Sequence, residues 1–125
     1  MEVLVRAAVD AGCPALALTD HNTLAGAVRF QELCAGYGIL PIHGTEITLE
    51  HPEGTRSHLT LLAKNRSGYA SLCRLLSLAY AHGGRLTPCL PWEAIEAHTE
   101  GLFCLTGCRK GLVHSLTREK NYDGA

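Results

Sequence analysis

The feature that most constrains the fold is an apolar run that ends in two polar residues. Residues 15–19 read Ala-Leu-Ala-Leu-Thr, Asp20 and His21 follow directly, and an apolar pattern with helical spacing begins near Leu24. This pattern is typical of a strand that delivers an acid and an imidazole at its carboxyl end, just before a helix. Because α/β folds place ligands and metals at that end of a strand, Asp20 and His21 are interpreted as parts of a metal site.

The size and charge of the chain limit what it can be. Its 125 residues are enough for one domain with a core of its own. An apolar content of 46% with 18% charged residues predicts a globular chain and not a disordered one. The formal net charge of −1 gives no basic excess that would indicate nucleic-acid binding from electrostatics alone.

No stretch of the sequence predicts a membrane segment. No apolar run approaches the roughly 20 residues of a membrane helix, and Glu2 and Arg6 interrupt the layout of a signal peptide. An intracellular, cytoplasmic location is therefore expected. The six cysteines form no C-x2-C pair. In a reducing compartment they are expected to be mostly small core residues, and a disulfide framework is disfavoured.

Helices and strands alternate after an opening helix. The periodicity predicts helices over residues 2–12, 23–37, 66–81, 91–98 and 110–119. It predicts strands over residues 15–19, 39–42, 58–63 and 101–105, with 47–50 extended again and 51–57 a turn. This order predicts parallel strands with covering helices. The pattern does not separate a barrel from an open sheet.

Candidate metal ligands lie beside the apolar strands. Besides Asp20 and His21, they are Glu46, His58 and Cys108. Imidazole, carboxylate and thiolate together suit zinc or a similar transition ion, whereas magnesium prefers oxygen only. Each residue also has a plainer interpretation: a helix cap for Asp20, a surface residue for Glu46, and buried structural residues for His58 and Cys108. For His21, within Thr-Asp-His, the ligand interpretation is favoured, and position at a strand end sets Cys108 above the other cysteines. For Glu46 the two interpretations are evenly supported, and for Asp20 the helix cap stays open.

Other chemistries find little support. The chain has no G-x-x-x-x-G-K-[ST] and no G-x-S-x-G motif. The run Gly36-Tyr37-Gly38 lacks the third glycine of a dinucleotide fingerprint. A Cys–His dyad stays open, although nothing marks one. The remaining histidines are interpreted as surface or packing residues: His43, His51, His82, His98 and His114.

Three stretches resemble a known family. Residues 15–22 (Ala-Leu-Ala-Leu-Thr-Asp-His-Asn), 26–30 (Gly-Ala-Val-Arg-Phe) and 38–46 (Gly-Ile-Leu-Pro-Ile-His-Gly-Thr-Glu) are similar to the PHP (polymerase and histidinol phosphatase) domain. The resemblance covers nearly the whole chain, in the right order.

Three later stretches narrow the resemblance to one branch of that family. Residues 58–65, 68–76 and 100–108 resemble the PHP domain at the amino end of bacterial C-family DNA polymerase III alpha subunits. Both replicative and error-prone enzymes of this kind carry it.

The resemblance implies a fold and a metal centre. The fold is a distorted seven-stranded β/α barrel whose mouth holds up to three metal ions, usually zinc, manganese or iron. Matched residue by residue, His21, Glu46, His58 and Cys108 occupy ligand positions. Asp20 matches the acid of the motif and is expected to orient His21 and not to bind the metal itself.

Two motifs of the family are absent from this sequence. They are an early His-x-His and a late Asp-x-His. Residues 1–125 are therefore expected to be a partial PHP domain, with the barrel incomplete at both ends and the metal cluster incomplete. No polymerase palm residues are present.

The resemblance also implies an activity. A complete site would hydrolyse phosphoesters with metal assistance. Its natural substrate would be a DNA 3′ end presented by the parent polymerase, and pyrophosphate is the alternative substrate. Its partners would be the remaining polymerase domains. The parent is expected to be a DNA-directed DNA polymerase, and the chain itself at most a phosphoesterase. The alternatives are an inactive scaffold of the polymerase and a free-standing PHP phosphatase.

Overall fold

The computed structural model describes residues 1–107 and 111–118. The helices are α1 (Glu2–Asp10), α2 (Ala27–Tyr37), α3 (Arg66–Gly83), α4 (Trp92–Glu96) and α5 (Leu112–Arg118). The strands are β1 (Ala15–Leu18), β2 (Leu40–Glu50), β3 (Arg56–Ala63), β4 (Leu90–Pro91) and β5 (Leu102–Leu105). The predicted α/β class is confirmed.

The strands form one sheet in the order β1-β2-β3-β5, with β4 also beside β2. Strands β1 and β4 run parallel to β2. Strand β3 is antiparallel to both β2 and β5. The prediction of parallel strands is right for β1 and β2 and wrong for β3 and β5. The described strands do not close on themselves, so the expected barrel is not confirmed.

The antiparallel pair arises from a short connection. His51 donates its backbone N–H to the carbonyl of Thr55 at 2.9 Å, and Gly54 donates to the carbonyl of His51 at 2.8 Å. A turn this short joins antiparallel strands, whereas a parallel crossover needs a dozen or more residues. The predicted turn over 51–57 is therefore a hairpin loop.

Strand β2 is longer than predicted, because residues 43–46 continue it. Its first half pairs with β1, from Leu40 to His43, and its second half pairs with β3, from Gly44 to Glu50. Strand β2 thus joins the parallel part of the sheet to the antiparallel part. Glu46 lies close to the point where the pairing partner of β2 changes from β1 to β3.

Two apolar clusters hold the helices to the sheet. The cluster under α3 contains Ile47, Leu49, Leu61, Leu72, Leu75, Leu76, Ala79 and Leu90. The cluster between α1, α2 and β1 contains Val5, Ala8, Phe30, Leu33, Cys34 and Ile39. Because side chains alternate along a strand, burial of Ile47 and Leu49 turns Glu46 and Thr48 to the other face of β2.

Helix α2 begins at Ala27, four residues after the predicted start at Thr23. Neither Asn22 nor Thr23 caps it, since the cap position is Gly26 and has no side-chain cap bond. Asn22 has a backbone φ of +50° and bonds Thr48 of β2. Its side chain is therefore hydrogen-bonded to strand β2 and does not cap the helix.

Over the described part of the chain, every helix is too short or too polar to span a bilayer.

Candidate metal centre

Three of the predicted ligand residues converge on one face of the sheet. His21 Nε2 lies 3.3 Å from Glu46 Oε2, and His58 Nδ1 lies 3.4 Å from Glu46 Oε1. The two imidazole rings meet edge to face, with centroids 4.8 Å apart. One ligand atom from each residue falls within 4.8 Å of the other two. Two imidazoles therefore flank one carboxylate.

The end of β1 places His21 beside Glu46. His21 and Glu46 form a parallel bridge just beyond the last β1 residue. The backbone N–H of Glu46 donates to the carbonyl of Asp20 at 3.2 Å, and the N–H of Asn22 donates to the carbonyl of Glu46 at 2.9 Å. The backbones on either side of His21 are thus bonded to Glu46 itself, and this fixes the spacing of the two ligand residues.

The hairpin places His58 on the same face. In the β2–β3 register, Thr48 is opposite His58 and Glu46 is opposite Thr60. Residues directly opposite each other share a face, and so do residues two apart on one strand. His58 is therefore the diagonal neighbour of Glu46 across the hairpin.

The Glu46 carboxylate is poorly satisfied by the protein. Its side chain is 18% exposed, against 24% for His58 and 58% for His21. Oε1 is buried and accepts no hydrogen bond from the described residues. The 3.4 Å to His58 Nδ1 exceeds an ordinary hydrogen-bond length. A buried carboxylate oxygen without a donor is costly, and a divalent cation between the three side chains would satisfy it.

The two other predicted site residues are Asp20 and Cys108. Asp20 is exposed, and its backbone carbonyl accepts from Thr45 Oγ1 at 2.8 Å. The role predicted for its carboxylate, orienting His21, stays a prediction. Cys108 lies outside the described residues. The preceding Gly107 has a φ of +79°, and a Cβ there would overlap the carbonyl oxygen of His58, so the backbone at Gly107 passes close to His58.

His43, interpreted from sequence as a surface or packing residue, packs on the opposite face. Its ring lies 6.0 Å from that of Phe30 and 5.7 Å from that of Tyr69. Nε2 bonds Gln31 Oε1 at 2.9 Å, while Nδ1 is buried and has no hydrogen-bond partner among residues 1–107 and 111–118. Burial lowers the pKa of His43 below its usual value. His43 lines a cavity of about 490 Å³ between α2 and α3, and the cavity takes no part in the metal centre.

The sequence pattern missed the two residues that hold the centre in register, Asn22 and Thr48. The positive φ at Asn22 is a property of a single residue and does not appear in the hydrophobic periodicity of the sequence. Its position directly after Asp20 and His21 is the one hint, because asparagine tolerates the left-handed conformation better than most residues.

Comparison with models of known protein families identifies the family to which the chain belongs. The model of the PHP domain matches residues 1–125. The chain belongs to the PHP domain family, as the resemblance implied.

Within that family, two similar curated proteins are polymerases. The chain is 43% identical over 132 residues to the error-prone DNA polymerase of Symbiobacterium thermophilum, covering 93% of this chain and 12% of that protein. It is 38% identical over 129 residues to the DNA polymerase III subunit alpha of Chlamydia trachomatis, covering 95% and 10%. The chain thus spans about a tenth of the length of these relatives.

A solved structure from Bifidobacterium adolescentis, provisionally described as a metal-dependent phosphoesterase, is also similar. The TM-score is 0.46 at 21% identity, covering 98% of this chain and 46% of that one.

Proposed function

We propose that the chain is the metal-binding part of a PHP domain in a bacterial DNA polymerase III alpha subunit. Its ligands are His21, Glu46, His58 and Cys108, and its ion is zinc, manganese or iron. The observation that carries the proposal is the convergence of two imidazoles on Glu46, which has a buried oxygen that accepts no hydrogen bond from the described part of the chain. Nitrogen and carboxylate donors in one site suit these ions better than calcium.

The proposed activity is hydrolysis of a phosphoester. When bound, the ion would polarise a phosphoryl oxygen and lower the pKa of a water. The chain's own residues hold the ion in place. Glu46 lies between the two imidazoles, and the backbone bonds of Asp20 and Asn22 to Glu46 keep His21 beside it. His21 is the most exposed of the three, so substrate would approach from its side.

The relatives favour a polymerase context over a free-standing phosphatase. Those reported above are an error-prone DNA polymerase and a DNA polymerase III alpha subunit. In this proposal the substrate is a DNA 3′ end, the partners are the remaining polymerase domains, and the location is intracellular. The retained donors His21, Glu46 and His58 favour metal binding over a purely structural role.

Metal content tests the ligand assignment. Elemental mass spectrometry of the purified chain should find zinc, manganese or iron, and His21→Ala/Glu46→Ala should remove at least one equivalent. The matched control is Glu96→Ala/His114→Ala, which removes an exposed acid and an exposed imidazole elsewhere and should keep the metal. Equal metal content in the chain and both variants would contradict the proposal.

Activity tests the substrate assignment. With added manganese, the chain is expected to release nucleotides weakly from a 3′-labelled DNA strand and to incorporate none. Loss of that release in the His21→Ala/Glu46→Ala variant would assign it to this centre. Metal binding without any release would favour the scaffold, and robust nucleotide incorporation by these 125 residues would contradict the assignment of the chain as a PHP domain alone.

A further inference from the structure

A second group of mixed donors lies away from the metal centre. One ligand atom each of Glu50, His82 and Cys89 falls within 4.8 Å of the other two. Glu50 is four residues beyond Glu46 on β2, a separation of about 13 Å along an extended strand. The two groups share no residue. The second group is therefore a separate feature of the fold.

Three different elements bring these donors together. Glu50 is the last residue of β2, His82 lies in the last turn of α3, and Cys89 precedes β4. Parallel pairing of β4 with β2 sets Leu90 beside Leu49. The backbone N–H of Cys89 donates to the carbonyl of Ala79 at 3.2 Å. The thiol is therefore fixed against both the strand end and the helix end.

Because Gly83 has no side chain, the thiol of Cys89 can lie against the end of α3. A Cβ built on Gly83 would lie 2.7 Å from Cys89 Sγ and 2.5 Å from the backbone nitrogen of Cys89. Both distances are shorter than real Cβ contacts allow. Any larger residue after His82 would push Cys89 away, so the close approach of thiol and imidazole depends on this glycine.

The Glu50 carboxylate already has its two oxygens divided between two partners. Oε1 accepts from Nη2 of Arg56 at 3.1 Å and from Nε at 3.3 Å. Oε2 lies 2.8 Å from His82 Nε2. Both bonds from the Arg56 guanidinium go to Oε1, and this leaves Oε2 for the imidazole of His82. Outer partners of this kind orient the carboxylates that bind metals.

We propose that Glu50, His82 and Cys89 form a second metal site, and that its ion is zinc. A thiolate, an imidazole and a carboxylate are the three donor types that zinc takes in proteins, whereas magnesium and calcium take oxygen alone. A carboxylate and a thiolate together balance the charge of a divalent ion. Cys89 is buried, while the side chains of His82 and Glu50 are 43% and 30% exposed. The fourth coordination position would thus face solvent.

Binding needs only a small adjustment of the donors. Tetrahedral zinc with bonds of about 2.0–2.3 Å separates its ligand atoms by about 3.3–3.8 Å. The donor atoms here are 2.8 Å apart for Glu50 and His82 and at most 4.8 Å apart overall. Zinc would take the place of the hydrogen between Glu50 Oε2 and His82 Nε2, with His82 bound as a neutral ring that carries its proton on Nδ1. The Cys89 thiol would bind as thiolate and release its proton to solvent. His82 is exposed and free to widen that contact, while Cys89 stays fixed.

Cobalt(II) spectroscopy tests the site, because cobalt substitutes for zinc and a cobalt–thiolate bond has a near-ultraviolet charge-transfer band. The measurement uses the chain carrying His21→Ala, Glu46→Ala and Cys108→Ser, so that the first centre contributes no band. We expect one equivalent of cobalt with a thiolate band, displaced by zinc. Adding Cys89→Ser or His82→Gln should abolish the band, and adding Cys73→Ser, an exposed cysteine of α3, should leave it unchanged.

Two results would overturn the second site. One is a folded parent variant with no thiolate band, and the other is a band that survives both Cys89→Ser and His82→Gln. Should the parent variant fail to fold by circular dichroism, His82→Gln alone in the unaltered chain decides the matter. That exposed change should remove one equivalent of zinc by elemental mass spectrometry, and an unchanged zinc content would refute the site. Refutation of the second site would not affect the proposal for the first metal centre, because the two ligand sets share no residue.

Discussion

Asn22 and Thr48 are joined by a reciprocal pair of hydrogen bonds. The Asn22 side-chain Nδ2 donates to Thr48 Oγ1 at 2.9 Å, and the Thr48 backbone N–H donates to Asn22 Oδ1 at 2.9 Å. Asn22 follows His21, and Thr48 is two residues beyond Glu46 on the same face of β2. The pair therefore fixes the segment carrying His21 to the strand carrying Glu46, without contributing a ligand.

Asn22→Ala should loosen this connection. It removes both side-chain hydrogen bonds and puts alanine at a φ of +50°, so we expect a loss of about 1–3 kcal/mol in unfolding free energy and weaker zinc binding. Asn22→Gly loses the same bonds without the backbone strain and should cost about 1 kcal/mol less. Urea unfolding and zinc titration measure both effects. Zinc affinity equal to that of the unchanged chain would show that the pair does not position His21.

Gly44 permits the close approach of β2 and β3 beside the metal centre. A Cβ there would lie 2.5 Å from the backbone oxygen of Leu61 and 2.6 Å from Leu62 Cδ2. Because a backbone atom cannot rotate away, Gly44→Ala should cost about 1–3 kcal/mol. Gly36→Ala is the matched control in helix α2, where a Cβ meets nothing within 4 Å, and it should be neutral or stabilise by up to about 1 kcal/mol. Thermal unfolding of the two variants compares them, and equal midpoints would contradict the packing.

His43 should make stability depend on pH. Burial holds its pKa below the ordinary 6.5, so the unfolded chain takes up the proton first. Stability should therefore fall as the pH drops from about 6.5 through the folded-state pKa, and then level off. The basic side chains of Lys64 and Arg66 line the same cavity.

Imidazole NMR titration gives the pKa of His43 directly. Urea unfolding between pH 7.5 and 5 should show a smaller decline in His43→Gln than in the unchanged chain, since glutamine takes up no proton. A His43 pKa at or above 6.5 in the folded chain would contradict the expected direction.

His58 should contribute to metal affinity as a direct ligand. His58→Gln is expected to weaken zinc binding by more than the about 10- to 100-fold that loss of an outer partner costs. His98→Gln, a change at a half-buried histidine elsewhere, should leave affinity unchanged. Isothermal titration with zinc makes the comparison. An effect of His58→Gln no larger than that of His98→Gln would remove His58 from the ligand set.

The elements were largely readable from the sequence, because local rules govern them. Leu72, Leu75, Leu76 and Ala79 recur at helical spacing in α3 and are all buried. Prediction failed where distant partners decide. Residues 43–46 had no clear strand pattern, yet pairing with β1 and β3 on its two halves makes β2 continuous. The strand directions were wrong for the same reason, since alternation of helices and strands does not report a hairpin.

The sequence by itself determined the class of fold, the membership of the PHP family and the residue types available as ligands. It did so because apolar periodicity, strand ends and family motifs are properties of the chain. Only the tertiary structure decided which donors meet. The β2–β3 register brings His58 to Glu46, and the ends of β2 and α3 bring Glu50 to His82. Glu50 and His82 are 32 residues apart, and only packing of the chain determines such distances.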